Sequence, residues 1–145
     1  RIGAGYGQGL ISRREGEALF VAEIPEPGRR VVGFASAGPA RRAGMGSRWG
    51  EGEVATLYVL SDYRDQGIGR RLLRASAAHL AAIGCASAML WVLSDNHARF
   101  FYRHLGGRPV AQEVIQVGGR AVQQTAIAWD PIETLLDATA VSSRG

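Results

Sequence analysis

Leu57-Tyr58-Val59-Leu60, Ser61-Asp62-Tyr63-Arg64-Asp65-Gln66-Gly67-Ile68-Gly69 and Arg70-Arg71-Leu72-Leu73 form one continuous stretch that reads as strand, polar turn and helix start. Gly67 and Gly69 fall where the helix begins, so backbone N–H groups there are bare of side chains and have no intrahelical partner. Such a start favours an anion through both its donors and its dipole. Arg64, Arg70 and Arg71 add positive charge. The stretch is not a Walker loop, because GxxxxGK[ST] is absent and the chain contains no lysine. The residues alone fit a capped turn with packing glycines as well as they fit a phosphate cradle.

Upstream, Glu53 to Leu60 (EVATLYVL) is a strand with apolar residues at Val54, Leu57 and Val59. Two further strands precede it, Leu19 to Ile24 and Arg30 to Ala37, joined by the turn Pro25-Glu26-Pro27-Gly28. Gly38 to Gly52 has no periodicity and is expected to be a mobile or functional loop. Downstream, Ile68, Leu72, Leu73, Leu80 and Ile83 trace one helix face that stops at Gly84. Ala86 to Leu93 is nearly all apolar, as a strand buried on both faces would be. Asp95 or Asn96 caps a second helix through Phe100, Phe101 and Leu105 to Gly106-Gly107. Val110 to Val117 and Arg120 to Trp129 flank Gly118-Gly119, a two-residue hairpin signal. A short helix is expected within Pro131 to Ala140. The order β-β-β-α-β-α-β-β predicts an α/β fold, a sheet of mixed strand direction with two principal helices.

The chain has 145 residues, enough for one domain, and 46% apolar types allow a packed core. Residues 1–18 are expected to be a flexible or truncated lead-in, 19–140 a single domain, and 141–145 a loose tail. Gly3 to Gly9 invites a dinucleotide reading but puts no glycine in the sixth place of GxGxxG. A chain opening on Arg1 rather than Met is expected to be incomplete, processed or recut at that end. All 17 basic residues are arginine, against 13 acidic ones, for a formal charge of +4. They are spread from Arg1 to Arg144, which argues against a nucleic-acid arm and fits a GC-rich coding bias. Cys85 stands alone, excluding a disulfide framework and a multi-cysteine zinc site. No apolar stretch approaches a membrane span and no leader pattern opens the chain, so a cytoplasmic protein without membrane or nucleic-acid partners is expected.

Arg64-x-x-Gly67-x-Gly69, with EVATLYVL before it and RRLL after it, resembles the acyl-CoA signature of the GNAT acetyltransferase superfamily. Leu90 to Arg108 (LWVLSDNHARFFYRHLGGR) is similar to that superfamily's next strand and helix. The likeness covers about Leu19 to Trp129. It implies the GNAT fold, a mostly antiparallel central sheet with flanking helices, here with its N-terminal strand and helices shortened or missing. Only eighteen residues precede Leu19. Two further departures stand out: Asp65 occupies a place where the family often has Gly, and counting back from Phe101-Tyr102 puts the family's Asn on Asp95 rather than Asn96.

The resemblance implies transfer of an acetyl group from acetyl-CoA, with no metal, to a primary amine on a small molecule or a peptide. Leu57, Tyr58, Val59, Arg64, Asp65, Gln66, Gly67, Ile68, Gly69, Arg70 and Asn96 are the implied acetyl-CoA-binding residues. An alkyl amine near pKa 10 needs a base before it can attack, and Glu53 matches the family's glutamate that acts through water. Glu51 is the next candidate. An oxyanion would be stabilised by backbone N–H around Tyr58-Val59. Tyr102 matches the family's general acid for the departing thiolate; its bland alternative is an aromatic core residue beside Phe100 and Phe101.

Other candidates are weaker. His97 and His104 lie seven residues apart without a third ligand, and His79 is isolated. Ser36 misses the GxSxG elbow. Trp49 could line an acceptor pocket or simply pack. The competing function is a non-catalytic CoA-binding sensor or regulatory domain, which Asp65 and the short N-terminus favour while Glu53 and Tyr102 favour an enzyme. The acceptor's identity and the oligomeric state are left open, and a homodimer covering the exposed flank is compatible with the sequence.

Overall fold

The computed structural model describes residues 2–4, 15–25, 28, 30–40 and 49–140. Seven strands, β1 (Ile2–Ala4), β2 (Ala18–Ile24), β3 (Arg30–Pro39), β4 (Gly52–Val59), β5 (Ala88–Leu93), β6 (Arg108–Val117) and β7 (Arg120–Trp129), form one sheet in the order β1-β2-β3-β4-β5-β7-β6. The helices are α1 (Ile68–Ala82), α2 (Ala98–His104) and α3 (Glu133–Ala138), with a single 3-10 turn at Ser61–Tyr63. Every neighbouring pair of strands is antiparallel except β4 and β5. The α/β fold, mixed and mostly antiparallel, is the one expected.

Strand alternation sorts the residues onto two faces. Ala35, Ala37, Val54, Leu90, Val92, Ile127 and Trp129 point to the face covered by α1, α2 and α3, where Leu73, Leu80, Tyr102 and Leu135 pack among or beside them. Met89, Ala126 and Ala128 point the other way, into a small cluster with Trp49, Trp91 and Ala111. Helices α1, α2 and α3 therefore share one face of the sheet.

Three local features set the geometry of the central strands. Ser36 pairs with Thr56 but Ala37 with Val54, so Ala55 is an extra residue and β4 is bulged. The bulge accounts for the three-residue step from Val54 to Leu57 in the apolar pattern, because it changes the parity of the strand. Gly118 and Gly119 have φ of 57° and 82° and join β6 to β7 in a turn that only residues tolerating positive φ can make. Gly84, at φ 97°, follows the last turn of α1, as the helix stop required.

Several expectations change. The lead-in is not loose at its start: Ile2–Ala4 pairs antiparallel with β2, whose first residue is Ala18. Residues 5–14 lie outside the described residues, as do 141–145. The long loop is shorter than its composition suggested, since β3 continues to Pro39 and β4 opens at Gly52; residues 41–48 are outside the described set. Ile83 is not on the buried stripe of α1 but exposed at its C-cap, where the helix has already ended. No helix among the described residues is long and apolar enough to cross a membrane.

Candidate active site

The parallel ladder between β4 and β5 contains two residue pairs, Gly52 with Ala88 and Glu53 with Met89. Beyond them the strands part, and the space between becomes a cleft of about 940 Å³. Leu57, Tyr58 and Val59 line one wall and Leu90 to Leu93 the other; Arg64, Asp65, Gly67, Gly69 and Arg70 lie at one end, and Phe101 and Tyr102 close the helix side. The Leu60 N–H donates to the Val32 carbonyl at 2.8 Å, which directs the backbone of Leu60 and Tyr58 toward β3. Alternation then turns the N–H and C=O groups of Leu57 and Val59 to the open edge of the cleft. Of the two residues around which a backbone donor is expected, Val59 turns its N–H to this edge and Tyr58 turns its own toward β3.

Gly67 is the N-cap of α1 with φ 80°, and no side chain caps it. The first helical bond runs from Arg71 N–H to the Gly67 carbonyl, leaving the N–H groups of the preceding turn without a helix carbonyl. A Cβ on Gly67 would meet nothing within 4 Å, and one on Gly69 would make only ordinary contact, with the Phe101 ring at 3.9 Å and Val59 Cγ2 at 4.0 Å. The glycines are therefore not there to let protein atoms approach. They leave room over a row of donors, which is what an anionic group requires.

Asp65 holds φ 65°, the only non-glycine residue at positive φ among those described. That conformation is a physical reason for a glycine at this place, and aspartate is one of the residues that tolerate it. Gln66 turns its amide to the Asp62 carbonyl (3.4 Å), and Ile68 packs with Leu72 and Val32 instead of facing the cleft. Arg64 lines the cleft and is exposed. Arg70 also lines it, but its guanidinium donates to the carbonyls of Ala138 (3.4 Å) and Ala140 (3.1 Å). Arg74, one turn on, donates to the Leu136 carbonyl at 2.8 Å.

Tyr102 sits on α2 at 7% exposure, ring edge against Trp129 with centroids 6.2 Å apart. Burial pushes its phenol up to about 12, so the hydroxyl keeps its proton throughout the neutral range. It is both a core aromatic and a cleft residue, so its two expected roles are not exclusive. Neither Asp95 nor Asn96 is the N-cap of α2, which is His97 without a side-chain cap. Asn96 lies one residue earlier, where its Oδ1 accepts the Ala98 N–H at 2.8 Å and the residue lines the cleft. Glu53 pairs with Met89 and, by alternation from Val54, sends its side chain to the face opposite the helices. Trp49 packs in the cluster on that same face. Glu51 is already engaged, its Oε1 accepting the Ala86 N–H at 2.7 Å. Its charge adds to burial, the larger cause, in raising the Cys85 thiol.

Sequence reasoning missed the second wall. Ala86 to Leu93 reads as a strand buried on both sides, and only the early end of the β4–β5 ladder makes its second half a cleft lining. His97, considered for a metal site, also lines the cleft, edge-on to Phe100 at 6.0 Å. Ser36 is bonded to the Thr56 hydroxyl at 2.7 Å, with no nucleophile's neighbours.

A family model described as "Acetyltransferase (GNAT) family" matches residues 5–106. The chain belongs to the GNAT acetyltransferase family. It is 32% identical over 119 residues to the uncharacterized N-acetyltransferase YuaI of Bacillus subtilis (strain 168), covering 82% of this chain and 66% of that protein. The chain thus spans just under two thirds of that relative. The fold is similar to the ribosomal-protein-alanine N-acetyltransferase from Brucella melitensis, with TM-score 0.64, 25% identity, and 81% and 70% of the two chains covered. It is also similar to a GNAT family acetyltransferase from Elizabethkingia anophelis with acetyl-CoA bound, at TM-score 0.65 and 13% identity, over 90% and 97%. As a GNAT fold, the V opened by β4 and β5 and the bare start of α1 are its two defining local features here.

Proposed function

We propose that this GNAT domain is an N-acetyltransferase that moves an acetyl group from acetyl-CoA to a primary amine by direct attack. One observation carries the reading: a single cleft runs from the uncovered helix start at Gly67 and Gly69, along the open backbone edge of Leu57 and Val59, to the buried phenol of Tyr102. Its size and donor row fit a long, anionic, amide-bearing ligand. Acetyl-CoA, when bound, supplies an activated thioester acetyl.

The chain's own residues then divide the work. The first N–H groups of α1, with Arg64, hold the pyrophosphate. Leu57 and Val59 offer amide and carbonyl groups to the pantetheine, and the Val59 N–H lies where oxyanion charge would develop. Glu53, on the far face, accepts a proton from the incoming ammonium through water. Tyr102 holds a proton at its hydroxyl for the departing sulfur. Because a phenol near 12 is a weaker acid than a thiol near 8.5, complete transfer is uphill, and its contribution is a hydrogen bond that strengthens as sulfur gains charge.

Acetyl-CoA supplied with a panel of amines, with release of free CoA as the readout, tests this. Amine-dependent release supports the enzyme. Tight CoA binding without release from any amine would favour a CoA-binding sensor instead, the reading to which the carboxylate of Asp65 beside the helix start lends some weight.

A further inference from the structure

The opening between β4 and β5 has a closed end, where side-chain and backbone hydrogen bonds meet around Glu51 and Ser87. Glu51 Oε1 accepts the Ala86 N–H at 2.7 Å, the Glu51 N–H donates to Ser87 Oγ at 3.0 Å, and the Gly52 N–H donates to the Ser87 carbonyl at 3.0 Å. The Glu51 carbonyl in turn accepts the Ala40 N–H at 2.9 Å, tying the end of β3 to the same point. The two flanking glycines permit the approach. A Cβ on Gly50 would stand 2.8 Å from the Met89 side chain, and one on Gly52 equally close to Leu80. One residue further on, after Glu53 and Met89, the ladder ends.

We infer that Glu51 is a positioning residue for acetyl transfer: its carboxylate ties Ala86, just ahead of β5, to the residue just ahead of β4, and so fixes the separation between the Leu57–Val59 edge and the Leu90–Leu93 wall. The inference rests on the acetyltransferase reading above. A vertex governs its opening through leverage. The strand from Glu51 to Val59 is roughly 26 Å long, so a rotation of about 5° at the pin moves the far end by roughly 2 Å. Misplacement by about 1 Å can cost on the order of 10²-fold in rate. Glu51 Oε1 accepts the Ala86 N–H, so the role assigned to it is to hold that segment, and the pH profile of Glu51→Gln distinguishes this from action as the base.

The test compares Glu51→Ala, Glu51→Gln and Glu53→Gln in the full chain, with kcat/KM followed from pH 6 to 10 and acetyl-CoA affinity measured by calorimetry. Glu51→Gln keeps an oxygen acceptor at the same place and is expected to stay within about threefold of wild type at every pH. Glu51→Ala removes it and is expected to lose about tenfold or more in kcat/KM, the worth of a charged hydrogen bond, with a pH profile parallel to wild type. Wild-type kinetics in Glu51→Ala overturns the inference. So does a Glu51→Gln deficit that grows as pH falls, which would make Glu51 the base. If the wild-type protein neither binds acetyl-CoA nor turns over, the acetyltransferase reading fails first and the positioning role falls with it. If wild type is active and Glu51→Ala equals it, only the positioning role fails.

Discussion

Glu53 and Tyr102 stand on opposite faces of the sheet, one at the end of the β4–β5 ladder and the other on the helix that lines the opening beyond it. In the proposed reaction the amine adds to the thioester carbonyl before the thiolate leaves. Nitrogen and sulfur then occupy different corners of the tetrahedral intermediate, so a base for one and a donor for the other can stand on different sides of it. Ending the ladder early opens the cleft that Tyr102 lines, while Glu53 stays in the last pair of the ladder and outside the cleft lining. In a fully paired parallel sheet, backbone hydrogen bonds would fill that space.

The first prediction separates these two residues by pH. Glu53→Gln removes a base and keeps the shape, so its loss should be largest at low pH and shrink toward the amine's pKa of about 10, where solvent supplies neutral amine. A deficit constant across pH, with a lower melting temperature, would assign Glu53 a structural role. The ratio of mutant to wild-type kcat/KM between pH 6 and 10 decides it.

Tyr102→Phe deletes a hydroxyl and little volume. CoA affinity should persist while kcat falls by about 10- to 100-fold, the worth of a hydrogen bond to a charged group. A loss under threefold at saturating substrates would leave Tyr102 a packing residue only.

The same substitution makes a stability prediction of definite sign. The folded-state phenol titrates near 12 and the unfolded one near 10. Tyr102 therefore contributes stability that is complete below pH 10 and is lost as pH rises toward 12, to a limit of about 3 kcal/mol. Denaturant titrations at pH 8 and pH 11 should show wild type losing more stability than Tyr102→Phe over that interval.

Gly69→Ala and Gly67→Val should behave differently without ligand and alike with it. Gly69 is helical with open space beside it, so alanine there should raise the apo melting temperature through helix propensity of about 1 kcal/mol. Gly67 has φ 80°, and valine there should lower it by strain of about 1–2 kcal/mol. Both should reduce or abolish the rise in melting temperature that CoA produces. An undiminished CoA response in both variants would remove the anion from this helix start.

Asp65→Asn keeps a side chain that tolerates positive φ and removes one negative charge beside the helix start. CoA should bind roughly three- to tenfold more tightly at low salt, with the gain shrinking as salt rises. Equal affinity for both proteins at low salt would place the phosphates away from Asp65.

Much of this architecture was legible because its determinants are local. Gly118-Gly119 announces a turn of positive φ, Gly84 ends α1, and Val54, Leu57 and Val59 already carry the parity change that the bulge at Ala55 produces. The paired glycines at Gly67 and Gly69 mark a helix start whose space is left empty. What could not be read is where strands distant in sequence stop pairing. Trp91, Leu93 and His97 look like ordinary core or surface positions until β5 is seen to part from β4 after Met89. The pairing of Ile2–Ala4 was hidden for a related reason: three residues are too few for a period, and their partners on β2 lie about eighteen residues away. Glu51 and Glu53 were indistinguishable as candidates, since only the folded chain places the Ala86 N–H against Glu51 and Met89 opposite Glu53.

Arg70 belongs to two structures at once. The guanidinium that borders the cleft is also the cap on the last carbonyls of α3, bonded to Ala138 and Ala140. A phosphate drawing Arg70 to itself has to exchange those bonds for its own, so little of the cation's attraction is left over as affinity. The bare amides of α1 and Arg64 must supply the rest. By reciprocity, whatever loosens the end of α3 releases a charge to the ligand, and whatever the ligand takes is withdrawn from that helix. The end of α3 and the phosphates of the proposed ligand are thus rivals for one cation.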